Sequence, residues 1–242
     1  MKNYKLLIQY DGTNYAGWQI QKNSITVQQK ITDALEVLTK EKINLVGSGR
    51  TDTGVHAFGQ VANFRTENEI DIYRFKHSLN SILPFDISIK KMNEIDVDFH
   101  SRFDAKKRTY IYMISKTKSP FYKNYSYFYH NKIDVNRLND LSKTFLGEKD
   151  FTSFSKKVSE QENRTCSIYS ARWKTIGELT YFFISANRYL HGMVRAITGT
   201  LLKVQELNYS ESYIEEMFKS LNREVAFDSV PPNGLFLYKV EY

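Results

Sequence analysis

The spacing of apolar residues divides the chain into short elements of alternating period. YKLLIQY (4–10) has the period of two that sends side chains to alternate faces of a strand. From Thr26 to Lys40 the period lengthens to that of a helix, with Val27, Ile31, Leu35 and Leu38 along one face. Thr26 and Gln29 form a capping box at its start. A strand INLV (43–46), a polar loop and a second strand QVANFRT (60–66) follow. After Asp71 comes a helix whose stripe is Ile72, Phe75, Leu79 and Ile82; Pro84 ends it, and ISIKKM (87–92) closes the unit as a strand. The order is β-α-β-β-α-β, that of ferredoxin-like folds.

The second half repeats this order. Strand RTYIYMI (108–114) is followed by a helix from Asp134 to Phe145 capped by Gly147, then by strands around CSIYSARW (166–173) and LTYFFISAN (179–187). Leu190, Val194, Ile197, Leu201 and Val204 mark the next helix; a shorter one follows Ser210, and LFLYKVEY (235–242) is the last strand. The expected fold is α+β: two ferredoxin-like halves, 1–104 and 105–242, joined edge to edge into one extended antiparallel sheet with helices on one face. A face flanked by two similar halves makes a groove for a ligand at their junction.

Composition narrows the partners. Of 242 residues 41% are hydrophobic, enough for a sizeable core. The lone Cys166 excludes an internal disulfide framework, and MKNYKLLIQYDG reaches an acid too soon for a signal peptide or membrane span, so a cytoplasmic protein is expected. Thirty-four Lys and Arg against 27 Asp and Glu leave a net charge of +7, which favours a polyanion as partner. SKTKSPFYKNYSYFYHN (115–131) interleaves Lys116, Lys118 and Lys123 with Tyr122, Tyr125, Tyr127 and Tyr129. Two readings stay open for it: a surface for stacked bases, or a strand with tyrosines packed on one face.

The loop GSGRTDTGVH (47–56) carries the candidate chemistry. Its spacing fits neither a P-loop nor the GxGxxG dinucleotide fingerprint. A metal at Asp52 and His56 would need further ligands, and the five His are scattered. Taken by itself the window reads as a tight turn, with Gly47, Gly49 and Gly54 supplying unusual backbone angles.

Six segments together resemble tRNA pseudouridine synthase A, the TruA family, nearly end to end. They are YDGTNYAGWQIQ (10–21), TVQQKITDAL (26–35), GSGRTDTGVHAFGQVANF (47–64), FHSRFDAKKRTYIY (99–112), ISANRYLHGMVRAITGTLL (184–202) and PPNGLFLYKVEY (231–242). The resemblance implies a cofactor-independent homodimer with its active site in the cleft between the halves. It makes Asp52 the essential acid and Arg50 the motif arginine, Tyr110 the tyrosine that stacks on the target base, Arg195 the basic partner of the aspartate, and Leu235 an apolar residue of the pocket. Thr51, His56, Lys116 and Lys118 are further candidates for substrate contact. The implied substrate is tRNA, at positions 38, 39 and 40 of the anticodon stem-loop, with no metal and no membrane. Thr53 stands where the family usually has Ala, and Ile20 where it often has a basic residue, with Lys22 as a possible substitute.

The chemistry suits these residues. Pseudouridine formation breaks the N1–C1′ bond, turns the ring and rejoins it through C5, with nothing oxidised and no atom lost. It calls for an ionised carboxylate and a nearby cation that keeps the acid charged despite burial. A target uridine in a stem must also be extruded, at a cost of about a few kcal/mol. A non-catalytic RNA-binding protein would have no use for an acid facing a polyanion. A metal-dependent nuclease would need a carboxylate cluster. A paralogue with other target uridines stays open.

Overall fold

A computed structural model of the protein describes residues 1–156 and 163–242. In chain order its elements are β1 (Lys2–Tyr10), α1 (Val27–Thr39), β2 (Val46–Gly47), β3 (His56–Thr66), α2 (Ile72–Ile82), β4 (Ile87–Ile95), β5 (Lys107–Ser115), β6 (Tyr127–Phe128), α3 (Val135–Ser142), β7 (Gly147–Asp150), β8 (Thr165–Ile176), β9 (Leu179–Ala186), α4 (Met193–Glu206), α5 (Glu211–Ser220) and β10 (Leu235–Glu241). The α+β class expected from the periods is the one observed. Among the described residues no helix is long and apolar enough to cross a membrane.

The chain divides into two compact units, one of Met1–Lys106 with Phe236–Tyr242 and one of Lys107–Leu235. The terminal strand, read from sequence as closing the second half, thus belongs with the first. Its pairing explains why: β10 lies parallel to β3, with Phe236 opposite His56 and Leu237 opposite Ala57. Such a long-range parallel ladder leaves no trace in local period.

In the first unit the strand order is β4-β1-β3-β10, and β2 pairs with β3 farther along, at Ala62 and Asn63. β1 is antiparallel to both β3 and β4. Its period of two buries Tyr4, Leu6, Ile8 and Tyr10, and Val27, Ile31 and Leu35 of α1 are buried likewise. Thr26 caps α1 by accepting from the Gln29 N–H at 3.3 Å, but the Gln29 side chain donates to Asp33 instead of closing the expected capping box. Asp71 caps α2 through the N–H groups of Tyr73 and Arg74. Leu83, held extended before Pro84, ends that helix. Ile82, placed by its spacing on the buried stripe, is 45% exposed, because it falls in the last turn.

In the second unit β5, β9, β8 and β7 form an antiparallel run in that order, and β6 adds to β5 in parallel. The ladders are therefore mixed, not purely antiparallel. Trp173 stacks on Phe182 at 4.5 Å and donates from Nε1 to the Ser142 hydroxyl of α3, fastening helix to sheet. Beyond α3, Phe145, Phe151, Phe154 and Phe218 make a second aromatic core with ring centroids 4.8–6.3 Å apart. Gly147, expected only to cap a helix, opens β7.

Candidate active site

Arg50, Thr51, Asp52 and His56 share the loop between β2 and β3, and the segment after β1 holds that loop from below. Asp11 begins the segment as a turn, accepting from the Thr13 N–H at 2.9 Å. Further on, the chain must pass against the loop backbone. The Trp18 N–H donates to the Thr51 carbonyl at 3.1 Å and the Gly54 N–H to the Tyr15 carbonyl at 3.3 Å. Gly17 makes the approach possible: its φ is +86°, and a β-carbon there would lie 2.4 Å from the Thr51 carbonyl oxygen. The run YDGTNYAGW is the cradle of the loop.

Side chains complete the clamp. Buried Tyr10, on β1, shares a hydrogen bond of 2.8 Å between its hydroxyl and Thr51 Oγ1. Gln60, fully buried on β3, accepts from the Ser48 hydroxyl at 2.7 Å and donates to the Gly49 carbonyl at 2.9 Å. Tyr15 donates to Asp86 at 2.5 Å; burial, then the Asp86 carboxylate, hold its phenol far above the ordinary range. The only hint of Gln60 in the sequence is a polar residue at the head of an apolar strand.

On this frame Asp52 is half-buried and Arg50 exposed. The backbone of Asp52 does close a turn, its carbonyl accepting from the Val55 N–H at 3.1 Å. Of the three glycines expected to supply unusual angles, Gly54 alone has a positive φ, 76°. Gly47 serves close approach instead, since a β-carbon would meet Trp18 Nε1 at 2.5 Å. Thr51 and His56 are buried. His56 is 1% exposed, its ring stacks on Phe236 at 4.6 Å, and its Nδ1 lies 3.0 Å from both the Gly12 N–H donor and Asp11 Oδ1. These contacts brace the loop against β10 and the cradle.

The remaining candidates belong to the second unit. Tyr110 lies on β5 opposite Ile184 and is 8% exposed; its ring meets that of Tyr189 edge to face at 5.1 Å. The buried hydroxyl of Tyr189 meets no hydrogen-bond partner among the described residues. Arg195, in the first turn of α4, is half-buried and donates from Nε to the Val230 carbonyl at 2.7 Å, while the Val230 N–H returns a bond to the Arg195 carbonyl. Tyr112, two residues beyond Tyr110 and so on the same strand face, donates to the Pro231 carbonyl at 2.8 Å. The segment running up to buried Leu235 thereby gathers β5 and α4.

The same segment anchors the tyrosine- and lysine-rich stretch: Asn233 donates to the carbonyls of Lys123 and Ser126. The stretch divides between core and surface, residue by residue. Tyr129 is core, 7% exposed and bonded to Glu206 at 3.1 Å, and burial pushes its phenol up to about 12. Lys116, Lys118, Lys123, Phe121, Tyr125 and Phe128 face outward.

A family model described as tRNA pseudouridine synthase matches residues 6–104 and 141–242. Full-length relatives carry the same name. "tRNA pseudouridine synthase A" of Bacteroides fragilis is 41% identical over 100% of this chain and 97% of its own length. That of Caldicellulosiruptor saccharolyticus is 42% identical over 100% of both. "tRNA pseudouridine synthase A 1" of Protochlamydia amoebophila is 43% identical over 100% of this chain and 97% of its own.

Proposed function

The chain belongs to the tRNA pseudouridine synthase family, and we propose that it isomerises uridine to pseudouridine at positions 38, 39 and 40 of the tRNA anticodon stem-loop, with Asp52 as the carboxylate on which the reaction turns. The observation that carries this reading is the hydrogen-bonded frame of the Asp52 loop. Its backbone is bonded to Tyr15 and Trp18, and its side chains to Tyr10 and Gln60, while Asp52 itself is half-buried. A positioned carboxylate is what the first bond cleavage requires, and fixing it in advance removes the entropy of bringing it to the sugar.

The other residues take supporting parts. Tyr110 offers a ring face, braced by Tyr189, to the extruded base; such a face is worth roughly 1–3 kcal/mol per base and suits neighbouring uridines alike. Arg50, exposed on the loop, reaches for the backbone or the vacated stack. Arg195 serves as the basic partner of Asp52, and Leu235 as an apolar wall. Lys116 and Lys118 contribute to holding the tRNA, without sequence readout. The isomerisation needs no cofactor, and the enzyme works in the cytoplasm as a homodimer, which lengthens the basic surface beyond one base pocket.

Incubating purified protein with unmodified tRNA transcripts and mapping pseudouridine by nucleotide tests the reading. Conversion confined to 38–40 is expected; conversion elsewhere would reassign the target, and none would remove the activity. Sedimentation at assay concentration should give a dimer, and a fully active monomer would refute that part.

A further inference from the structure

The sheet of the second unit has two faces of different chemistry. On one, Trp173 and Phe182 stack at 4.5 Å, and Trp173 bonds to Ser142 of α3. Successive strand residues alternate between faces, so Arg172, Lys174, Tyr181 and Phe183 point away from α3. The register joins them in two cross-strand rows. Lys174 of β8 lies opposite Tyr181 of β9, which lies opposite Met113 of β5; Arg172, Phe183 and Ile111 make the next row.

These rows hold aromatic rings and cations and no acid. The rings of Tyr181 and Phe183 are 6.1 Å apart and inclined by 27°. Both are half-buried, whereas Phe182 between them is fully buried on the helix side. Arg172 and Lys174 are exposed, and among the described residues neither side chain makes a hydrogen bond, an ion pair or a contact with a ring. Glu178, in the turn that joins β8 to β9, pairs with neither.

Charge and shape point to one kind of occupant. A second copy of the chain packed on this face about a two-fold axis would set both Arg172 and Lys174 pairs in one interface with no acid from these rows between them. Like charges repel, so that packing is disfavoured. A polyanion turns the same charges into attraction. Aromatic rings on a sheet face take up unpaired bases, and cations beside them take the phosphates. Duplex RNA has no free base to lie on the rings.

We propose that this face binds a single-stranded segment of the tRNA, outside the anticodon stem-loop. Tyr110 alternates with Ile111 along β5 and so points to the opposite side of the sheet, which means that the nucleotides held here are not the target uridine. The proposal rests on tRNA being the substrate. It divides tRNA binding between two surfaces, one for the reacting stem-loop and one for an unpaired segment elsewhere in the molecule.

Arg172→Ala with Lys174→Ala tests the charges, and Tyr181→Ala with Phe183→Ala the rings; Tyr181→Phe keeps the ring as a control. Binding of a whole tRNA transcript and of the isolated anticodon stem-loop is measured across a salt series, with sedimentation and pseudouridine formation in parallel. For whole tRNA the charge variant should flatten the slope of log K against log salt by about 1.4, at about 0.7 for each of two single-strand phosphates. The ring variant should lose at least about fivefold in affinity per stacked base at unchanged slope, and Tyr181→Phe should keep its affinity. The isolated stem-loop should bind all variants alike. If the ring variant fails to fold, the exposed Arg172 and Lys174 carry the test. Unchanged slope and affinity for whole tRNA in the charge variant would overturn the site. Equal losses with both RNAs would put the stem-loop itself on this face and overturn the assignment. A change of oligomeric state with tRNA affinity intact would make the face a subunit contact and likewise overturn it. A wild-type protein that makes no pseudouridine, yet loses tRNA affinity in these variants, would retain the site and lose the proposed reaction.

Discussion

Gly17 and Thr51 touch backbone to backbone: a β-carbon on Gly17 would stand 2.4 Å from the Thr51 carbonyl oxygen, in a residue whose φ is already +86°. The contact joins two segments 34 positions apart and fixes the backbone immediately before Asp52. It supplies the physical reason for glycine in that motif.

Gly17→Ala should therefore cost more than the strain of its backbone angle. Gly147 makes the control, because it has the same φ of +86° and an added β-carbon there meets nothing within 4 Å. Gly147→Ala should lose about 1–2 kcal/mol in denaturant unfolding and keep its activity. Gly17→Ala should lose more, and with it most turnover. Equal losses and full activity in both would mean that this contact does not hold the loop.

Tyr10→Phe removes the 2.8 Å hydroxyl bond to Thr51 and little else in volume. The expected loss is about 1–3 kcal/mol, since both residues are buried. Thr51→Val removes the same bond from the other side. Unfolding of the two single variants and the double should show losses that fail to add, and simple additivity would deny the coupling.

Asp52→Asn keeps the shape of the side chain and discards its charge. Pseudouridine formation should fall on the order of 10⁴-fold or more, as for removal of a central catalytic group, with the melting temperature and tRNA affinity close to wild type. Measurable steady turnover by the asparagine variant would sink the catalytic assignment.

Tyr110→Phe preserves the ring that meets Tyr189, whereas Tyr110→Ala removes it. If stacking is the main role, kcat/KM should change severalfold in the first and by at least about tenfold in the second, following the roughly 1–3 kcal/mol of a stacked base. Equal, severe losses in both variants would transfer the role from the ring to the hydroxyl.

Local period was enough to read the order of strands and helices, because a strand with one buried face and an amphipathic helix each write their geometry into neighbouring residues. Asp52 stood out for another reason: its run of glycines and hydroxyls has a distinctive composition, and the role expected of it came from resemblance across six segments. The sequence by itself determined the element order, the basic charge and the loop that bears the acid. Tertiary structure decided what those pieces touch. It set β10 against β3, made the segment after β1 a cradle for the loop, and buried His56 against Phe236. It also separated core Tyr129 from its exposed neighbours and set Met113 beside Tyr181 and Ile111 beside Phe183 on one sheet face. Each of these depends on residues tens to hundreds of positions apart. Their meeting is fixed by chain path and packing, and no local period encodes it.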